Sequence, residues 1–94
     1  MSSPQQPENT QQPDTSGVGA LLKASRLRIG EELSEVSDVL RIRNVYLEAI
    51  EENGFDRLPA VTFVRGYVRE FSAFLDLDED EVVEGYMERF HGAR

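Results

Sequence analysis

LSEVSDVLRIRNVYLEAIEENG, residues 33 to 54, contains two short apolar-periodic segments separated by three residues. The first predicts a helix over about Glu32 to Leu40, with Leu33, Val36, Val39 and Leu40 on one apolar face and Glu35 and Asp38 on the other. The second predicts a helix over about Asn44 to Asn53. Here Tyr46, Leu47 and Ile50 turn inward, Glu48, Glu51 and Glu52 project outward, and Gly54 supplies a left-handed stop. The link Arg41-Ile42-Arg43 is tight, and a further helix precedes the pair, so the three read as a helix-turn-helix core.

That preceding helix runs from about Val18 to Arg28, with Leu21, Leu22, Ser25 and Ile29 at spacings of three and four and Lys23, Arg26 and Arg28 around them. Gly30 ends it. On the other side, Phe55-Asp56-Arg57-Leu58-Pro59 reads as a loop with two apolar anchors, through which Pro59 allows no helix to continue. A fourth helix spans about Val61 to Leu75, and Asp76-Leu77-Asp78 breaks it. Asp78 can cap a fifth helix whose first turn holds Glu79, Asp80 and Glu81, where the positive end of the helix dipole favours them. The inner face of this fifth helix is Val82, Val83, Tyr86, Met87 and Phe90. The fold class is therefore all-α, a five-helix domain over residues 17 to 94. Residues 1 to 16 have no apolar residue after Met1, cannot repay their ordering entropy, and are predicted to be a disordered arm.

The 94 residues carry a net charge of −8 and no cysteine, so one domain is expected, held by packing without disulfides or a thiolate metal site. No run of apolar residues is long enough to span a bilayer, and the N-terminus lacks the order of a secretory signal, so a soluble, cytoplasmic chain is expected. Catalysis is not expected. The only histidine, His91, lies three residues from the end, and no cysteine can act as nucleophile. The acidic run DLDEDEVVE, residues 76 to 84, lacks the glycine and the terminal glutamate of a calcium loop, and a capped helix start explains it better. No cofactor and no metal are expected.

A helix-turn-helix raises DNA binding, with Arg41, Arg43 and Asn44 at the start of the third helix as the contacting residues. Charge opposes that reading. Residues 17 to 94 hold all ten Lys and Arg against sixteen of the eighteen Asp and Glu, a net of −6, and Glu48, Glu51 and Glu52 would face phosphates. A DNA-binding regulator is the alternative, and nucleic acid is not the expected partner.

The fourth helix offers more. In TFVRGYVREFSAFL, residues 62 to 75, a projection at about 100° per residue with Phe63 at zero places Phe74 at about 20°, Tyr67 at 40°, Phe71 at 80°, Val64 at 100°, Leu75 at 120° and Val68 at 140°. Such an arc is wider than one core-facing stripe requires. Val64, Val68, Phe71 and Leu75 form the core set. Phe63 and Tyr67 stand toward the other edge, flanked by Gly66 and Glu70, which leaves room for another surface to approach, although by geometry alone all four rings read first as core. A glycine inside a helix costs about 0.8–1 kcal/mol relative to alanine, so Gly66 marks a close approach, either of another helix of the domain or of a partner.

The segments GALLKASRLRIG, LSEVSDVLRIRNVYLEAIEENGFDRLP and TFVRGYVREFSAFLDLDEDEV, in this order, resemble the N-terminal cytoplasmic domain of the RodZ family of bacterial cell-shape proteins. The resemblance covers about residues 19 to 90 and is most specific in RIRxxYLEAIE and FVRGYxRxF. It departs at Glu31 and Glu32, where family members commonly carry an apolar residue and a Ser or Thr. It implies a five-helix domain that binds a bacterial actin homologue of the MreB type and couples its filaments to the membrane. It also implies that the aromatic residues of the FVRGY motif, here Phe63 and Tyr67, make that contact. Proteins of the family continue into a basic linker, a membrane-spanning helix and a periplasmic domain, so the chain is expected to be either one domain of such a protein or a stand-alone relative.

Overall fold

Residues 17–93 are described by the computed structural model; the predicted arm, residues 1–16, and Arg94 lie outside the described residues. Five α-helices follow one another: α1 (Gly17–Arg28), α2 (Leu33–Leu40), α3 (Asn44–Glu51), α4 (Val61–Phe74) and α5 (Glu79–Gly92). A single turn of 3₁₀-helix, Phe55–Arg57, lies between α3 and α4.

Three of the helices stop in the same way, with one residue in the left-handed region and two hydrogen bonds that satisfy the last carbonyls. After α1 that residue is Gly30, with φ 76°; its N–H donates to the Leu27 carbonyl at 3.1 Å and the Glu31 N–H to the Arg26 carbonyl at 3.2 Å. After α4 it is Asp76, with φ 62°, and Leu77 donates to the Ser72 carbonyl at 2.9 Å. After α3 it is Asn53, with φ 57°, and not Gly54, which has φ −85°. Asparagine tolerates this conformation because its short amide side chain can bond locally. Gly54 instead donates to the Ala49 carbonyl at 2.8 Å and leaves space over which the Arg57 guanidinium lies, within reach of Glu52 at 3.0 Å.

The link of the helix-turn-helix is held from both sides. Arg41 takes φ 60°, the Ser37 hydroxyl donates to the Ile42 carbonyl at 2.6 Å, and the Ile42 side chain is buried. At the start of α2, Glu32, expected as the first helical residue, stands just outside the helix as its cap, so the helix begins one residue later, at Leu33. The Glu32 N–H donates to the Glu35 carboxylate at 3.4 Å, the half of the reciprocal arrangement supplied by the third helical residue, while the Glu35 N–H donates to the Glu32 backbone carbonyl at 3.0 Å. At α5 the Asp78 carboxylate accepts the Glu81 N–H at 3.1 Å, the expected cap.

Every helix contributes to one core: Leu22 from α1, Val36 from α2, Leu47 and Ile50 from α3, Val64, Val68 and Phe71 from α4, and Val82, Val83, Tyr86, Met87 and Phe90 from α5. Helices α4 and α5 fold back on each other, and Phe55 closes the base edge-on to Tyr86 and Phe90, with ring centroids 5.5 and 5.9 Å apart. Three apolar expectations fail. Val39 is 62% exposed, because it stands about 60° from Val36 on the side opposite Leu33 and Leu40. Leu21 lies at the edge of the α1 stripe, and Ile29 falls past the last helical residue, so both are exposed.

The expectation for Glu51 fails in a more consequential way. It projects inward, and both of its oxygens accept from Arg26, at 2.6 Å from Nε and 2.9 Å from Nη2. Nη1 of Arg26 donates to the Glu31 carbonyl at 2.8 Å, so one buried guanidinium joins the end of α1, the turn after it and the end of α3. The hydrogen bond with Glu51 raises the Arg26 pKa further above its ordinary value, against the effect of burial. The same two helices cross closely at Gly19. A Cβ there would stand 2.6 Å from the Ile50 carbonyl oxygen and 2.7 Å from that of Glu51, backbone atoms that have no free rotor to move aside. Gly19→Ala is expected to cost about 1–3 kcal/mol through this overpacking, measured by urea unfolding.

Candidate partner-binding site

Exposure rises steadily across the aromatic arc of α4. Val64, Val68 and Phe71 are fully buried, Tyr67 and Phe74 are half-buried against the core, and Phe63 is 57% exposed. The buried sector continues past Val68 to Ser72, whose hydroxyl donates to the Val68 carbonyl at 2.7 Å. The helix is thus rotated toward its Ser72 side, which lifts Phe63 out of the interior.

Phe63 and Tyr67 do not stand alone. Their ring centroids are 6.3 Å apart at 34°, and Tyr67 stacks on Tyr46 of α3 at 5.8 Å and 22°. Three rings on two helices therefore form a row, with both pairs in the range where aromatic contacts are favourable. Tyr46 was expected to be wholly inward and is half-buried. Projection does not mark it, since it stands between the buried Ile50 and Ala49, about 40° and 60° from them; its exposure follows from the way α3 packs against α4.

Gly66 is exposed beside this row, and a Cβ there would meet nothing within 4 Å. Close packing against another helix of the domain is therefore not its reason. Gly66→Ala is expected to raise stability by about 0.8–1 kcal/mol, read as a higher midpoint of unfolding. Glu70 is also exposed. Arg69 on the far side of α4 pairs with Asp80 at 3.1 Å and Glu79 at 3.5 Å, which ties its charge to the start of α5.

The second set of candidates, Arg41, Arg43 and Asn44, comes together at the turn before α3, and all three are exposed. Glu48 is exposed one turn on, Glu52 is occupied by Arg57, and Glu51 is withdrawn into the pair with Arg26. Fewer carboxylates face outward from α3 than the sequence implied. Among the described residues, no group of three or more His, Cys, Asp or Glu is placed to hold a metal ion, and no helix is long and apolar enough to cross a membrane.

Residues 21–82 match the family model described as a helix-turn-helix domain, a span that takes in α2, the link, α3 and all of α4. The chain belongs to this helix-turn-helix family. It is also similar to the cytoskeleton protein RodZ of Streptococcus pneumoniae, with 29% identity over 69 residues. That similarity takes in 73% of this chain and 25% of the relative, so the chain spans about a quarter of the length of the curated protein it matches. Together the two make the chain a helix-turn-helix domain of the RodZ family. No solved structure matches it. In this RodZ-family domain, of the residues carried over from the FVRGY motif, Phe63 is the exposed ring of α4, whereas Tyr67, like Phe74, is half-buried against the core.

Proposed function

We propose that the domain is a non-catalytic interaction module that binds a bacterial actin-like filament of the MreB type through Phe63 and Tyr67, with Gly66 and Glu70 at the margin of the contact. In a longer RodZ-like chain it would couple such a filament to the cell-shape machinery at the cytoplasmic face of the membrane. The observation that carries this reading is the half-exposed aromatic row beside an open glycine. A ring left 57% exposed on a small domain forgoes burial it would otherwise gain, and aromatic rings are the side chains most often found as anchors at interfaces. The relative's designation as a cytoskeleton protein supports the class of partner.

Phe63→Ala is expected to leave folding nearly unchanged and weaken filament binding about thirtyfold, since an anchor of this kind carries ~2 kcal/mol or more. Tyr67→Ala should weaken binding to a similar degree with a larger cost in stability, because its ring also touches the core. Co-sedimentation with filaments and a melting curve for each variant check both.

A second reading, DNA binding through Arg41, Arg43 and Asn44, is favoured by the exposure of all three at the turn and by the withdrawal of Glu51 from the reading face. Titrations with filament and with duplex DNA at two salt concentrations separate the two. Binding that falls steeply with salt and is lost in Arg43→Ala would support the DNA reading. Filament binding that changes little with salt and is lost in Phe63→Ala supports ours.

A further inference from the structure

Tyr67 stands four residues after Phe63 on a surface helix, with only the open space of Gly66 on one side. One part of its ring packs against the core, and Tyr46 approaches from α3 in a nearly parallel stack at 5.8 Å and 22°. Helix α3 is itself a firm base. Leu47, Ala49 and Ile50 are fully buried and Glu51 is gripped by Arg26 from α1.

We propose that Tyr46 is a positioning residue of the docking surface, whose stack fixes the Tyr67 ring in the orientation that the filament meets, so that the surface is a ridge built by α3 and α4 together. The inference rests on the reading of Phe63 and Tyr67 as the filament contact. Its physical basis is the ordering cost of association. A side chain that is mobile before docking loses rotamer freedom when it docks, and one that is already held loses little. Tyr46 holds Tyr67 without filling the interior, because it is itself half-buried at the edge of the core. Phe63, at the other end of the row, has no such support beyond its tilted contact with Tyr67.

The test uses the whole chain, polymerised filaments of a bacterial actin homologue, and the variants Tyr46→Leu, Tyr46→Phe, Tyr67→Leu, the double variant Tyr46→Leu with Tyr67→Leu, and Phe63→Ala. Tyr46→Leu keeps an apolar body at the site but removes the stack. It is expected to shift the Tyr67 ring resonances in the NMR spectrum of the free domain and to weaken filament binding about three- to tenfold, the range an aromatic pair contributes beyond its buried area. Tyr46→Phe should restore both. The double variant should bind no more weakly than Tyr67→Leu alone, because Tyr46 acts through that ring. Wild-type binding by Tyr46→Leu alongside a loss in Phe63→Ala overturns the role of Tyr46 and leaves the filament reading standing, as do fully additive losses in the double variant. Wild-type binding by Phe63→Ala and Tyr67→Leu overturns both. Ring relaxation in the unmutated domain gives a check independent of any variant: Tyr67 is expected to be ordered and Phe63 mobile, and a Tyr67 ring as mobile as Phe63 overturns the proposal.

Discussion

Replacing Glu51 with alanine is expected to destabilise the domain by about 3–5 kcal/mol, because it leaves the buried Arg26 guanidinium without its counter-charge. Both partners lie within the protein, and their two hydrogen bonds, at 2.6 and 2.9 Å, use both carboxylate oxygens. A domain of this length is stable by roughly 5–10 kcal/mol, so the loss takes a large part of the total. Arg26→Ala should cost a comparable amount and in addition free the Glu31 carbonyl that closes the turn after α1. Converting both, as Arg26→Met with Glu51→Leu, should recover much of the loss, since a buried ion pair and a packed apolar pair of similar volume are often close in energy. Urea unfolding of the two single variants and the double variant measures this. Single losses under about 1 kcal/mol would place the pair with exposed ion pairs, such as Arg69 with Asp80.

Phe71→Ala is the second large effect, expected at about 3–5 kcal/mol, as truncation of a fully buried aromatic ring leaves a cavity as well as losing transfer free energy. Phe71 belongs to the same helix as Phe63 and differs from it by about 80° around the axis. The contrast between the two is therefore informative. Phe71→Ala should lower stability severely, whereas Phe63→Ala should spare stability and weaken binding. Melting curves of the two variants side by side check the rotation of α4 that lifts one ring out while burying the other.

These residues also mark where the sequence was readable and where it was not. The inner face of α5, Val82, Val83, Tyr86, Met87 and Phe90, was legible in full because its period is unbroken and its start is capped by Asp78. The core sector of α4 was legible as well, apart from Ser72, a polar residue whose hydroxyl is satisfied within its own helix. Glu51 was not, although it follows the buried Leu47 by one turn. A charged side chain is assigned outward by default, and the partner that reverses this lies 25 residues away in α1. Val39, Leu21 and Ile29 mislead in the opposite direction, since short helices have too few turns for period alone to settle which edge of an apolar stripe is covered. In the candidate site, the exposure of Phe63 agrees with its place at the end of the arc, whereas angle does not separate Tyr67 from Phe74, both half-buried. The contribution of Tyr46 depends on how α3 and α4 pack, which no local pattern encodes.

The most direct test of the aromatic docking surface is a titration of the isotopically labelled domain with an unpolymerised bacterial actin homologue, followed by NMR residue by residue. Signals of Phe63, Gly66, Tyr67 and Glu70, with Tyr46 beneath them, are expected to shift or broaden first, while those of Arg41, Arg43 and Asn44 and of the outer face of α5 stay in place. Perturbations confined to Arg41, Arg43 and Asn44, or no perturbation at all along Phe63 to Glu70, would contradict the account.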